Sequence, residues 1–300
     1  MNWLYFFGDD RNLFGVFAES LETTVSRSRA AVLFLNIGSN HHVGPHRMTV
    51  TFARALASLG FATLRFDIAG LGESQVAQKD EENRLYSKTS IADVKAAMNF
   101  LHVHGGFKRF ILIGLCSGAY LAFHTAVQDT RVAGQILINP QTFHWREGDS
   151  LELAMRRSYK STRFYRDAFF KKDVWLRALR GEVNMKGTLA TLRERFEDRM
   201  KAKVKNLITR AQINHSNTDD VTDGFKTITQ RGSHSLLIYS AEDGGLDEME
   251  MHLGPAANKM RHESHFHLQI IEDADHTFSS LQSRQQLFHL LSEHLMQNFG

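Results

Sequence analysis

The stretch Phe110-Ile-Leu-Ile-Gly-Leu-Cys-Ser-Gly-Ala-Tyr120 constrains this chain more than any other. Its apolar start, Phe110 to Ile113, reads as a buried strand, and the residues after Gly118 take up helical patterning. Gly114 and Gly118 stand two residues on either side of Cys116. This is the strand–turn–helix spacing G-x-nucleophile-x-G, with cysteine where serine is usual. Such a turn strains its central residue and leaves no room for side chains two residues away, so glycine is needed at both flanks. The helix that follows aims its N-terminus at the sulfur, which favours thiolate and can also hold an oxyanion. The glycines are symmetric about 116, not 117. Ser117 therefore reads as the helix-start residue whose N–H serves the site. The competing reading of Cys116 is a small hydrophobe packed in the core.

The rest of the chain supplies a scaffold for that turn. Leu4–Gly8 and Leu13–Ala18 are short aromatic runs separated by Gly8-Asp-Asp-Arg-Asn12, and they read as a hairpin. Ala30–Leu35 is continuously apolar, the mark of a strand buried on both faces. Met48, Phe52, Leu56 and Leu59 then recur at helical spacing until Gly60. Ala62–Asp67 is the next strand, and Ile91, Val94, Met98 and Leu101 form a helical stripe with Ser90 as the expected N-cap. Strands follow at Val132–Asn139, Ser235–Tyr239 and His265–Ile271, and Leu287, Phe288, Leu291 and Leu295 share a face of a final helix. Alternating strands and helices imply an α/β fold with a mostly parallel sheet covered by helices on both faces. Right-handed crossovers place the site at the carboxyl ends of the strands.

The alternation breaks after Pro140. Residues 141–230 carry no convincing strand but have helical stretches around Tyr159, Phe164, Tyr165, Phe169, Phe170 and Trp175. The expected organisation is a core of residues 1–140 and 231–300 with a helical, basic insertion at 141–230, sitting as a lid above the strand ends. The net charge of +3 conceals this asymmetry. Between Met155 and Lys205 there are 16 Lys/Arg and 6 Asp/Glu, which leaves 20 basic and 27 acidic residues elsewhere. A single cysteine allows no intrachain disulfide, which fits a reducing compartment. The N-terminus lacks the basic region of a signal peptide, and no apolar run approaches the ~18 residues of a membrane span. The expectation is a cytoplasmic protein with no membrane span, no metal and no cofactor. Internal repeats and low-complexity tracts are absent from the sequence.

A cysteine nucleophile needs a base in reach and an acid to orient that base. Among 16 histidines, position discriminates. His276, in Glu272-Asp-Ala-Asp-His-Thr-Phe278, lies past the last strand and before the last helix, where a loop can bring it over the turn. His262, His265 and His267 lie in or beside a strand, and their HxxHxH spacing reads as alternating strand faces before it reads as a metal site. The acid is expected in Tyr239-Ser-Ala-Glu-Asp-Gly-Gly-Leu-Asp247: Asp243 leads, with Asp247 as the alternative and Glu242 third. The order nucleophile–acid–histidine is that of the strand–turn–helix motif. The expected oxyanion donors are the N–H of Ser117 and that of Gly38, with Ile37 as the alternative to Gly38. His41, His42 and His46 follow in the same loop and read as exposed loop histidines.

These residues together resemble the α/β-hydrolase fold family, and more closely its serine-aminopeptidase-like branch, which includes exosortase-associated hydrolases. The stretches that carry the likeness are Asn36-Ile-Gly, Val43-Gly-Pro-His-Arg47, Gly60-Phe-Ala-Thr-Leu-Arg-Phe-Asp-Ile-Ala-Gly-Leu-Gly-Glu-Ser74, Gly114-Leu-Cys-Ser-Gly118 and Asp275-His276. The resemblance implies a nucleophile, an oxyanion hole, an acid and a histidine at the positions already reached. It implies no substrate, because the fold hosts many. Cysteine-bearing relatives within the fold include dienelactone hydrolases, polyhydroxyalkanoate synthases and carrier-protein acyl shuttles. The expected activity is acyl transfer through an acyl-Cys, from a thioester of coenzyme A or a carrier protein, or from a related ester, to water or another acceptor. The basic segment would suit coenzyme A or an acidic carrier protein, and nucleic acid is not expected. The alternatives are a general ester or amide hydrolase with a Cys-His-Asp triad, and a non-catalytic member of the fold that binds a partner through the lid.

Overall fold

The computed structural model describes residues 2–20, 30–75, 84–145 and 220–300. In chain order these form β1 (Asn2–Phe7), β2 (Leu13–Ala18), β3 (Ala30–Phe34), α1 (Met48–Ser58), β4 (Thr63–Phe66), α2 (Lys88–Gly105), β5 (Arg109–Leu115), α3 (Ser117–Gln128) and β6 (Val132–Ile138). After the undescribed segment come α4 (Asp220–Gln230), β7 (His234–Ser240), α5 (Gly245–Leu253), β8 (Phe266–Ile271) and α6 (Leu281–Phe299). The eight strands form one sheet in the order β1-β2-β4-β3-β5-β6-β7-β8. β1 with β2 and β2 with β4 are antiparallel, and every other pairing is parallel.

The central strands show why a continuous apolar run was needed. Ala31 and Leu33 of β3, with Phe110 and Leu112 of β5, point into one core cluster. Ala30, Val32 and Phe34, with Ile111 and Ile113, point into the other. Both faces are dry because both carry helices. Met48, Phe52 and Leu56 of α1 and Leu287, Leu291 and Leu295 of α6 fill one side. Ile91, Val94 and Met98 of α2, the inner face of α3, Phe225 of α4 and Met249 of α5 fill the other.

Two local expectations change. The N-cap of α2 is Ser87, whose side chain accepts from the Ser90 N–H, so Ser90 lies in the first turn and is not the cap. Asp220–Gln230, which the sequence placed inside the insertion, is the crossover helix that precedes β7. Its Val221, Phe225 and Ile228 are buried, and Phe225 packs at 4.7 Å from the ring of Phe123 in α3. The remainder of the expected lid, residues 146–219, lies outside the described residues. Among those described, no helix is long and apolar enough to cross a membrane.

Candidate active site

β5 ends at Leu115 and α3 begins at Ser117, so the whole turn is one residue, Cys116, held at φ 57° and ψ −115°. Few L-residues adopt such a backbone, and the close packing around it fixes the conformation. A Cβ on Gly114 would lie 2.1 Å from the Gly118 carbonyl, and a Cβ on Gly118 would lie 2.6 Å from the Asn36 carbonyl oxygen. Both glycines are therefore sterically required. The turn lifts the cysteine side chain to a half-buried position at the carboxyl ends of the parallel strands.

The loops after β7 and β8 converge on it. Asp243 is buried, and its Oδ2 pairs with His276 Nδ1 at 2.6 Å. Its other oxygen, Oδ1, accepts from the Gly245 N–H at 2.8 Å and from Gln141 Nε2 at 2.6 Å. Three donors thus fix one carboxylate. The Asp243 bond occupies Nδ1, which leaves Nε2 as the ring nitrogen of His276 that can meet the Cys116 sulfur. Burial pulls the imidazolium down, but the Asp243 bond and the sulfur outweigh it and push His276 up to about 10. Asp247, the alternative acid, sits in the first turn of α5.

The loop after β3 is held from beneath by Asp67, which is fully buried. Asp67 accepts from Asn36 Nδ2 at 2.9 Å, from the His42 N–H at 2.5 Å and from His42 Nδ1 at 2.8 Å. Burial alone would raise this carboxyl, yet the His42 and Asn36 bonds reverse that and lower it. Asn36 Oδ1 in turn accepts from the Ile68 N–H at 2.8 Å, which ties the ends of β3 and β4 together. The loop so fixed brings Gly38 to the start of α3. There its N–H donates to Ser117 Oγ at 2.8 Å. In this resting arrangement the Gly38 amide is engaged by the hydroxyl next to the sulfur. The Ser117 amide, in the first turn of α3, has no acceptor within its own helix.

A family model described as the alpha/beta hydrolase fold matches residues 31–278. The chain belongs to the α/β hydrolase fold family. Solved structures agree at low identity. A dienelactone hydrolase from Anabaena variabilis superposes with a TM-score of 0.59 at 13 % identity, covering 100 % of this chain and 99 % of that one. An esterase from Pyrococcus furiosus gives 0.59 at 17 %, covering 100 % and 93 %. An alpha-beta serine hydrolase homologue from Coxiella burnetii gives 0.53 at 15 %, covering 98 % and 97 %. At these identities the likeness concerns the fold. No functionally curated protein matches the chain. In this α/β hydrolase the sheet order, the one-residue turn and the loops after β7 and β8 give the site its frame.

Three residues that shape the site were missed in the sequence. Asn139, at φ 43° just past β6, donates from Nδ2 to Ser240 Oγ at 2.7 Å and to the His276 carbonyl at 2.9 Å. It also accepts from the Ser240 N–H at 2.8 Å, so one amide staples the ends of β6, β7 and the His276 loop. Gln141 does the same for Asp243. Tyr86, in the short turn Arg84–Tyr86 before α2, is buried, and its phenol is raised by burial first and then by the neighbouring Cys116. Its ring stacks on Trp145 at 4.4 Å and 12° and meets Tyr120 edge-on at 5.0 Å. A polar pair directly after a strand end, as in Asn139-Pro-Gln141, was a readable signal; Tyr86 had none.

For metal binding, the described residues bring one group together: His41, His42 and Glu73 offer ligand atoms within 4.8 Å of one another. His42 Nδ1 there already faces Asp67 at 2.8 Å and Glu73 at 3.2 Å, so the group serves the loop's own ion pairs. The HxxHxH histidines do not gather. His265 lies against His234 at 4.4 Å, His267 faces His294 at 5.8 Å, and His262 accepts from its neighbour Arg261.

Proposed function

We propose that Cys116, His276 and Asp243 carry acyl transfer through an acyl-Cys, taking the acyl group from a thioester of coenzyme A or a carrier protein, or from a related ester. The observation that carries this reading is the imidazole of His276 held by the buried Asp243 carboxylate, with Cys116 at the strained one-residue turn raising the same imidazole. The Cys116 thiolate attacks the carbonyl carbon, and the carbonyl electron pair moves to oxygen. Backbone donors at the start of α3 and in the loop after β3 hold that oxyanion: the Ser117 N–H, with Gly38 or Ile37 as the second. Collapse expels the leaving thiolate or alkoxide, which takes its proton from His276 Nε2. An incoming water, thiol, alcohol or amine then returns a proton to His276 as it attacks the acyl-Cys, and the Cys116 thiolate departs. Asp243 keeps Nδ1 protonated and the ring oriented throughout.

Cysteine favours thioester donors, because exchange between two thiols is nearly balanced in energy. The basic segment 155–205 suits the phosphates of coenzyme A or an acidic carrier. The neighbouring structures described as esterase and serine hydrolase support a hydrolytic outcome, and the likeness of several stretches to serine-aminopeptidase-like hydrolases points the same way. The test is the intact mass of the protein after incubation with acyl-coenzyme A and acyl-carrier thioesters. An adduct of acyl mass is expected on the wild type and on no molecule of Cys116→Ala. Rapid loss to water identifies a hydrolase, and loss only on adding a thiol or amine identifies a transferase. Turnover that survives in Cys116→Ala overturns the reading.

A further inference from the structure

The residue after the nucleophile carries a hydroxyl whose hydrogen is unspent. The loop after β3 passes so close to the start of α3 that a Cβ on Gly118 would lie 2.6 Å from the Asn36 carbonyl oxygen. Across that seam the Gly38 N–H donates to Ser117 Oγ at 2.8 Å. The loop is braced in this position. The Ile37 carbonyl accepts from the Asn40 N–H and from Asn40 Nδ2, each at 3.0 Å, and Asn36 is tied to the buried Asp67. Ser117 is 1 % exposed. Its oxygen is therefore fixed by an incoming amide, and its own hydrogen finds no acceptor among the described residues. A hydroxyl that accepts from an amide is also a better donor, because the two bonds polarise each other.

We propose that the Ser117 hydroxyl is a further catalytic residue: it donates to the oxyanion formed at Cys116, and the Gly38 amide behind it holds its oxygen in place. This rests on the acyl-transfer reading above. When the sulfur attacks, the C–S bond forms and the carbonyl electron pair moves to oxygen. The N–H and the O–H of Ser117 then meet the same charge, one from the main chain and one from the side chain. On collapse the pair returns, the C=O bond re-forms and the leaving group departs. The hydroxyl keeps its proton at every step, and His276 carries each proton that moves. The Gly38 amide thus acts through the hydroxyl, so the bond it makes at rest is the working arrangement and the loop needs no rearrangement before attack. The opposite arrangement would make the hydroxyl an obstacle that the substrate displaces to reach the Gly38 amide.

Ser117→Ala separates the two, because it removes the hydroxyl and leaves the backbone N–H, the cysteine and the triad in place. Acylation of Cys116 by acyl-coenzyme A thioesters is followed by intact mass. Alkylation by iodoacetamide is the control, since it displaces iodide at a saturated carbon and forms no oxyanion. The maximal acylation rate is expected to fall about a hundredfold, the usual cost of one oxyanion donor, with the thioester concentration at half-maximal rate little changed. The alkylation rate and the melting temperature should hold. A trifluoromethyl ketone, to which the sulfur adds to give a tetrahedral oxyanion that does not collapse, should bind the variant about a hundredfold more weakly. Acylation that is unchanged or faster in Ser117→Ala overturns the assignment and returns the role to the Gly38 amide. Alkylation that falls as far as acylation also overturns it, because the loss then lies in the sulfur's own reactivity. Weakened ketone binding in a protein that no thioester acylates keeps Ser117 as the oxyanion donor and sinks the acyl-transfer reading instead.

Discussion

The two ends of strands β7 and β8 carry histidines in opposite electrostatic states. At the carboxyl end, His276 meets Asp243 and the Cys116 sulfur and is pushed up to about 10. At the amino end, His234, His265, His267 and His294 meet chiefly one another. His234 and His294 are both pushed down to about 4, by burial first and then by their histidine neighbours, with Arg109 adding to the effect on His234. Among the described residues, His234 Nδ1, His265 Nδ1 and His294 Nε2 are buried with no hydrogen-bond partner. The two sites use the same residue type and the same strands and differ in their neighbours: a buried carboxylate and the Cys116 sulfur beside one imidazole, further imidazoles and Arg109 beside the others. At the carboxyl end His276 holds its second proton up to about 10, and at the amino end His234 and His294 stay neutral down to about 4. A count of histidines therefore says little about function until the sign of each neighbour is known.

Removing the carboxylate should erase the contrast. In Asp243→Asn the His276 imidazole loses its charge partner while the shape of the loop is kept. Its titration, followed by the ring proton resonances, should fall from about 10 toward the ordinary histidine value. Turnover of an acyl thioester should drop about ten-thousandfold, as it does when a triad histidine is left in the wrong tautomer. A titration that stays near 10 in this variant would show that the sulfur, rather than Asp243, holds the proton.

Much of this was legible in advance, for definite reasons. Cys116, Asp243 and His276 each follow a strand whose apolar run is visible in the sequence, and the parallel topology brings strand ends together. Gly114 and Gly118 announced a turn with no room for Cβ atoms. What was not legible depends on packing across the chain. Tyr86 lies in a loop with no periodicity, and only packing against Trp145 and against Tyr120 of α3 buries it. Ser90 looked like a cap because it precedes the apolar stripe, but the helix gains a further turn by starting after Ser87. Asp220–Gln230 shared its neighbours' lack of strand character, and nothing in its composition announced that Phe225 would be fully buried against α3. Gly38 was legible as a close-approach glycine, but the bond from its amide to Ser117 Oγ joins residues 79 apart. His41 and His42 read alike in sequence; the structure exposes the first and buries the second on Asp67.

The histidine contrast also sets the shape of stability against pH. His234 and His294 bind protons near 4 when folded and near 6.5 when unfolded, so the unfolded chain takes up more protons as the pH falls between those values. Their contribution is complete above about 6.5 and is lost toward about 4. His276 has the opposite sign: its contribution is present below 6.5 and is lost as the pH rises through about 10. Denaturant unfolding at several pH values should therefore show a loss on the order of 2 kcal/mol between neutral pH and the acid limb, from the pair at the amino end. An acid limb no steeper than the carboxylates alone produce would mean that water reaches these imidazoles.

The smallest effect separates packing from titration within that pair. His294 is 7 % exposed, and among the described residues its ring has one hydrogen bond, to Asn298 Nδ2, which is long at 3.3 Å. His294→Leu removes an imidazole whose Nε2 is buried without a partner among the described residues and puts an apolar side chain near Phe299 of the same helix. Losing the weak Asn298 bond and the unsatisfied nitrogen together should leave stability at neutral pH within about 1 kcal/mol of the wild type. It should also flatten the acid limb by about half, because His294 no longer titrates. If His294→Leu is instead strongly destabilised at neutral pH with the acid limb unchanged, His294 is held by packing alone and the histidines at this end are not coupled.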